Sequence, residues 1–212
     1  CKVAFTPSPK FIKQNIEIVG TNFSQLNNNS KYLDVRDISS VSKNIKDCNP
    51  DLIINCAAST NIDYLEKNPQ IGYDINAKGA ENVSIVAHEI GSKLIHISTD
   101  SVFDGISGQY VESDPPNPIN EYAKSKVLGE ELVQKKSNNY VIIRTNFLGI
   151  DKDHKYTFSS IFKKLKNDIS MIGFYDVLYT PVEISNLSRW ILDISEKNYN
   201  GILHLSSDEI IS

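Results

Sequence analysis

The chain has 212 residues, 40% hydrophobic and 23% charged, with a formal net charge of −4 at pH 7. That length suits one domain, or a domain and a half, with a large core, and the composition is that of a soluble globular protein. The acidic balance offers no general attraction for nucleic acid or an anionic membrane, so any phosphate must be held by local groups.

The longest apolar runs, such as "LIINCAA", are far too short to span a bilayer, and the opening residues do not read as a signal peptide. Three cysteines, Cys1, Cys48 and Cys56, have no CxxC spacing. This argues against a disulfide framework or zinc site and for a reducing cytoplasm. The four histidines, His88, His96, His154 and His204, show no metal-ligand spacing, so no catalytic metal is expected.

In chain order, "CKVAF" reads as a short strand and "IEIVG" (Ile16 to Gly20) as a second. "NNNSK" is a surface turn, and "KYLDV" (Lys31 to Val35) is a third strand. "ISSVSKNIKDCN" carries Ile38, Val41 and Ile45 at helical spacing. Pro50 introduces "DLIINCAA", a continuous apolar run of the kind found in strands buried on both faces. "DINAKGAENVSIVAHEIG" predicts an amphipathic helix closed by Gly91. "SKLIHISTD" is another buried strand, "NEYAKSKVLGEE" a helix and "NYVIIRTNFLG" a strand. Buried strands alternating with helices define an α/β fold with a doubly wound parallel sheet, Rossmann-type. After Gly149 come a helix in "TFSSIFKKLKN", another in "YTPVEISNLSRWILDIS" and a last strand, "GILHLSS".

Tyr122 and Lys126 stand four apart on the predicted helix, hence on one face about 6 Å apart. An ammonium there favours the phenolate and lowers a pKa that starts near 10. Alone, Tyr-x-x-x-Lys occurs often by chance and more often marks a solvated helix face. In parallel sheets, however, ligands bind at the carboxyl ends of the strands. Ser98, Thr99 and Asp100 lie where "KLIHI" runs out, and Tyr122 begins the helix after the next loop. A hydroxyl at a strand end, then Tyr and Lys on the following helix, is a carbonyl-reducing arrangement. Thr99 would bond the substrate oxygen and Tyr122 would donate or accept its proton. Lys126 would hold the nicotinamide ribose and keep Tyr122 acidic, while the cofactor carries the hydride.

The stretches "LDVRD", "PDLIINCAASTNIDYLEKNP", "INAKGAENVSIVAHEIGSKLIHISTDSVFDG", "NEYAKSKVLGEE" and "IIRTNFLG" lie in order across Leu33 to Gly149. With them the chain resembles the extended short-chain dehydrogenase/reductase family, particularly its dTDP-4-dehydrorhamnose reductase branch. The resemblance implies that Asp34 and Val35 contact the adenine. It places Cys56, Ala57 and Ala58 in the small-residue turn beneath the cofactor, although core packing explains the two alanines almost as well. Asn76 matches a helix asparagine that helps relay protons, or is only a helix-bending polar residue. Arg144, Thr145 and Asn146 end the strand beneath nicotinamide and substrate. Asp100, Arg144 and Asn146 join Thr99 as candidate substrate contacts. Arg144 is equally readable as a structural ion-pair partner, and Asp100 as a turn cap.

The family's glycine-rich phosphate loop is missing from its place. Only "TPSPKFIKQN" separates the first two expected strands, too short for that loop plus a crossover helix. Either residues are omitted there, or the dinucleotide site has been lost. The expected division is a dinucleotide-binding Rossmann domain over 1–149 and a mixed segment, 150–212, with part of a substrate lobe that looks cut short. "GTNFSQ" after the second strand supplies neither the acid that favours NAD nor an arginine for a 2′-phosphate. The cofactor expected is NADPH or NADH, with NADPH slightly preferred.

The expected function is reduction of a 4-keto deoxysugar nucleotide for polysaccharide synthesis in the cytoplasm, with no nucleic-acid or membrane partner and with a homodimer compatible. A sugar-nucleotide epimerase or dehydratase is the nearer alternative. Dehydratases usually add an acidic pair after the hydroxyl position, whereas Ser101 follows Asp100 here. A non-catalytic nucleotide-binding or regulatory subunit of the same fold is the other.

Overall fold

The fold is that of a computed structural model, which describes residues 17–23, 30–149, 157–170 and 176–211. "CKVAF", the glycine-free "TPSPKFIKQN" and His154 lie outside them.

The centre is a four-stranded parallel sheet in the order β3 (Leu52–Asn55), β4 (Lys93–Ser98), β5 (Tyr140–Thr145) and β8 (Gly201–Leu205). Side chains alternate across a strand, so each strand feeds two cores. Leu94 and Ile142 point to one face, where they meet Val41 and Ile45 of α1 (Ile38–Cys48), Ala80, Val83 and Val86 of α4 (Gly79–Glu89), and Val133 of α5 (Glu121–Lys136). Ile95, Val141 and Ile143 point to the other, against Leu187, Ile191 and Ile194 of α7 (Ile184–Ser195). Both faces are covered, which is why these strands read as unbroken apolar runs. Each fully buried Leu or Ile contributes about 1.5–3 kcal/mol relative to exposure.

Two shorter sheets flank this one. Strands β1 (Gly20–Asn22) and β2 (Ser30–Tyr32) pair in parallel, with Asn22 opposite Tyr32. The strand expected at Ile16 to Gly20 thus lies further along, and that expected at Lys31 to Val35 ends early. It ends because Asp34 starts a turn: the Arg36 amide donates to its carboxylate at 3.0 Å and the Asp37 amide to its carbonyl at 3.2 Å. Asp37 then caps α1, accepting from the Ser39 amide at 2.9 Å. The chain leaves the main sheet at Asn146. Strand β6 (Phe147–Leu148) pairs instead with β7 (Val182–Glu183), and the Asn146 carbonyl accepts from the Val182 amide at 2.8 Å. The single strand expected through "NYVIIRTNFLG" is therefore two.

The crossover from β3 to β4 runs through α2 (Ile62–Lys67), α3 (Pro69–Gly72), a π-helical turn (Tyr73–Lys78) and α4, which ends at Gly91 with φ +73°. The sequence predicted an ordinary helix here. The widened turn falls where α5 crosses at its closest. A Cβ at Gly129 of α5 would stand 2.4 Å from the carbonyl oxygen of Asn76. The remaining helix, α6 (Thr157–Lys166), precedes β7.

Gly→Ala on an exposed helix stabilises by about 1 kcal/mol. At Gly129 the added methyl meets backbone that cannot swing aside, so Gly129→Ala should destabilise by about 1–3 kcal/mol in urea unfolding. A net gain in stability would refute the close crossing.

Candidate functional site

Helix α5 is started by Asn120, whose side chain accepts from the Ala123 amide at 2.8 Å. Its positions 122, 126 and 130 are successive i+4 neighbours and form one face. That face lies on the carboxyl ends of β4 and β5. Lys126 is fully buried and its Nζ donates to the Ile97 carbonyl at 2.7 Å. Glu130, also buried, receives Arg144 from β5 in a forked pair, with Nε at 3.1 Å and Nη2 at 2.7 Å, and accepts from the Ser98 hydroxyl as well. Arg144 further lies 5.2 Å from the Phe103 ring centroid and 3.4 Å from His204 Nε2.

Thr99 follows β4 and is buried. Its hydroxyl oxygen accepts from the Ser101 amide at 3.2 Å and starts a short 3-10 turn, Asp100–Val102. The hydroxyl also donates to the Asp100 carboxylate at 3.1 Å and lies near enough to the Tyr122 phenol to act on its pKa. Asp100 in turn accepts from the Asn146 amide at 3.2 Å, across the break between β5 and β6. The structure thus brings Thr99, Asp100, Tyr122 and Asn146 together at one edge of the sheet.

The electrostatics differ from the simple pairing expected of Tyr122 and Lys126. Burial pushes the Tyr122 phenol above its usual value, the nearby Thr99 hydroxyl pulls it back, and the Asp100 charge raises it. Desolvation lowers Lys126 to about 8, against the attraction of Glu130 and of Cys56. Cys56 follows β3; it is only half-buried as a residue, but its thiol is enclosed, and burial pushes it up to about 12. The ammonium therefore sits between the end of β3, β4 and Glu130, and its Ile97 bond leaves two donors without a partner among the described residues. A buried cation with spare donors, beside a strand-end hydroxyl and a phenol, suits the vicinal hydroxyls of a ribose. The nicotinamide cofactor fits this donor set.

The other candidates are placed as follows. Asn76 is wholly buried in the π-helical turn. Its amide donates to the Ser59 carbonyl at 3.0 Å and the Ser125 hydroxyl at 2.9 Å, and its oxygen accepts from the Ser59 amide at 2.7 Å. It joins the loop after β3 to α5. Ala57, half-buried, donates its amide to the Asn55 side chain at 3.1 Å, and Ala58 follows it. Asp34 and Val35 lie past β2, where the Val35 side chain packs on Gly79 and its carbonyl accepts from Asn82 at 2.8 Å. Arg144 has the contacts of a structural ion pair. To meet substrate it would have to leave Glu130 alone in the core.

Sequence reasoning passed over Glu130, Ser125 and His96. Glu130 had a signal, four residues past Lys126 and followed by a strand-end arginine. His96 pairs through Nδ1 with the Asn55 amide at 3.1 Å, so that nitrogen is the acceptor and Nε2 carries the hydrogen, buried and without a partner among the described residues. Burial and the nearby Lys126 hold it neutral.

Fold and site together define a Rossmann-type protein with a hydroxyl, tyrosine and lysine at the strand edge. The chain belongs to the family described as the RmlD substrate binding domain, whose model matches residues 10–212. It is 28% identical over 209 residues to methionine adenosyltransferase 2 subunit beta of Xenopus tropicalis, covering 94% of this chain and 62% of the relative. It is 30% identical to a probable low-salt glycan biosynthesis reductase of Haloferax volcanii, covering 85% and 62%. The dTDP-4-dehydrorhamnose reductase of Bacillus anthracis, solved in complex with NADP, superposes with a TM-score of 0.80 at 33% identity, covering 86% of this chain and 66% of that one. The chain spans about three fifths of the length of these curated relatives.

The buried lysine gives a pH signature. Below about pH 8 both folded and unfolded chains carry the Lys126 proton, and its burial penalty is fully present. Between about 8 and 10.5 the folded chain has lost a proton that the unfolded chain keeps, so this group makes stability rise with pH. Lys126→Met removes the penalty, so its stability advantage over the native protein should shrink from pH 7 to pH 9.5. Parallel curves in denaturant titrations at the two pH values would show that Lys126 is not desolvated.

Proposed function

We propose that the chain is the main part of an NAD(P)H-dependent reductase acting on a 4-keto deoxysugar nucleotide, of the dTDP-4-dehydrorhamnose reductase kind, in polysaccharide precursor synthesis. The observation that carries this is the placing of the Thr99 hydroxyl, at the end of β4, and the Tyr122 phenol at one edge of the sheet, with the buried Lys126 ammonium one helical turn from the phenol. The cofactor, when bound, supplies a hydride to the carbonyl carbon. Thr99 holds the carbonyl oxygen, and Tyr122 gives it a proton, leaving an alcohol. A phenol held above its usual pKa is protonated at neutral pH and so is ready to act as the acid. Lys126 binds ribose hydroxyls with its spare donors, while the small residues Cys56, Ala57 and Ala58 let the cofactor approach the strand ends.

Asp34 and Val35 are assigned to the adenine, and Asn76 to a proton route behind Lys126. Asp100 and Asn146 orient the sugar at the edge where β6 leaves the sheet. Further along, a cavity of about 610 Å³ between β6, β7 and the segment after β8 is lined by Leu148, Pro181, Ile184, Ser207 and Ile211. It has the size and position to take the remainder of a sugar nucleotide. The reading carries with it a reducing cytoplasmic setting, no nucleic-acid partner, and room for a homodimer. Among the described residues no helix is long and apolar enough to cross a membrane.

A second reading is favoured by the likeness to methionine adenosyltransferase 2 subunit beta over 94% of the chain. In it the same fold binds a nucleotide and regulates a partner without turnover. The two are separated by mixing full-length protein, NADPH and dTDP-4-dehydrorhamnose and following loss of cofactor fluorescence. The reductase reading predicts turnover, reduced on the order of 10²-fold or more in Tyr122→Phe with cofactor affinity kept. Cofactor binding without turnover would move the protein to the regulatory reading.

A further inference from the structure

The residues directly after β1 carry no charge, yet the fold brings a cation to that place from thirteen positions downstream. The guanidinium carbon of Arg36 stands 4.9 Å from the ring centroid of Phe23, the residue that follows β1. The Phe23 ring packs in turn on Tyr32 of β2, at 5.8 Å between centroids. Arg36 also forks onto Asp34, with Nε at 2.9 Å from Oδ1 and Nη2 at 2.7 Å from Oδ2. This pair holds the Asp34 carboxyl below its usual range and raises Arg36. Since β1 and β2 run parallel, Phe23, Asp34 and Arg36 share the carboxyl edge of that sheet.

The pair is poised to change partners. Arg36 is 44% exposed and Asp34 18%, unlike the sealed Arg144–Glu130 pair at 4% and 2%. Half-exposed ion pairs contribute little, so either member can be drawn to a better ligand at small cost. Yet while the pair stands, the Asp34 carboxylate is occupied, and that is the group assigned above to the adenine. A nucleotide must therefore deal with Arg36 before it can use Asp34.

Resting on the NAD(P)H reading, we infer that Arg36 selects NADPH over NADH by exchanging Asp34 for the 2′-phosphate of the adenosine ribose, with Phe23 as the platform that keeps the guanidinium at the end of β1. A phosphate accepts the planar fork at least as well as a carboxylate does, and it carries more charge. The exchange frees Asp34 to accept from the adenine amino group. A 2′-hydroxyl offers no replacement anion, so NADH must either leave Arg36 unpaired or do without Asp34. Asp74 also acts on Arg36 from the π-helical turn, and without the guanidinium it would repel the phosphate. Arg36 thus helps NADPH and hinders NADH.

These opposite signs make the test. Full-length protein and its Arg36→Ala variant are titrated by fluorescence with NADPH and NADH, and by calorimetry with adenosine 2′,5′-bisphosphate and with ADP. The native protein should bind NADPH about tenfold or more tightly than NADH. Arg36→Ala should weaken NADPH and adenosine 2′,5′-bisphosphate by about tenfold or more, since it removes a charge-assisted fork. It should leave NADH as tight or tighter. Added salt should weaken NADPH more than NADH in the native protein only. Phe23→Ala, which keeps the charge but removes its platform, should fall between. An unchanged NADPH-to-NADH ratio in Arg36→Ala, with both cofactors bound, overturns the role of Arg36 and leaves the reductase reading standing. Binding of neither cofactor by the folded native protein overturns both.

Discussion

Helix α5 presses against the sheet with a lysine and a glutamate on its inward face, and the arrangement holds because Arg144 answers the glutamate. A lone carboxylate in this core would cost several kcal/mol, and so would a lone guanidinium. Forked together, with Ser98 and His204 taking further bonds, they fix α5 to β4 and β5 at the level of the strand ends. That anchor sets the height of Lys126, one helical turn earlier, and of Tyr122, one turn before that. Thr99 is placed independently by the end of β4 and its 3-10 turn, so the two halves of the site meet because helix and strand are locked in register. The opposite flank of α5 is fixed as firmly, by Gly129 against the Asn76 backbone and Ser125 against the Asn76 amide. Buried pairs of this kind are weak arguments for stability and better ones for a unique geometry, which is what a proton donor needs.

Lys126 is the member of this face whose charge is not fully answered. Its desolvation is a local cost that the surrounding core absorbs, in exchange for a cation held ready with free donors. The same helix thus shows two settings of a buried charge: Glu130 closed by Arg144, and Lys126 with one bond to a backbone carbonyl among the described residues, open to the proposed ligand. The proposed adenine end repeats the theme at the surface, where the Arg36–Asp34 pair is closed but half exposed, as the proposed exchange requires.

Much of this was legible in the sequence, and the limits are instructive. "LIINCAA", "KLIHI" and "YVIIR" announce β3, β4 and β5 because strands buried on both faces must be apolar throughout. Thr99, Tyr122 and Lys126 could be joined because strand ends and the helices after them share an edge in any parallel sheet. Other features depend on contacts that local periodicity does not encode. The π-helical turn at Tyr73–Lys78 carries the letters of an ordinary helix, and it lies against Gly129 of α5, some fifty residues on. The break at Asn146 is set by pairing with Val182, and "NYVIIRTNFLG" reads as one strand without it. Arg144 could be read as a substrate contact or an ion-pair partner until Glu130 was seen facing it. Arg36 was invisible as a neighbour of Phe23, since no pattern links the end of one strand to the turn after the next.

We propose that the donors Lys126 has to spare among the described residues hold the nicotinamide ribose beside Thr99 and Tyr122. The decisive measurement is a crystal structure of the full-length protein grown with NADPH. Ribose hydroxyls should lie about 3 Å from Lys126 Nζ, with the nicotinamide ring facing the Thr99 and Tyr122 oxygens. An ordered nucleotide lying elsewhere, with Lys126 still bonded to the Ile97 carbonyl alone, would overturn this role for Lys126.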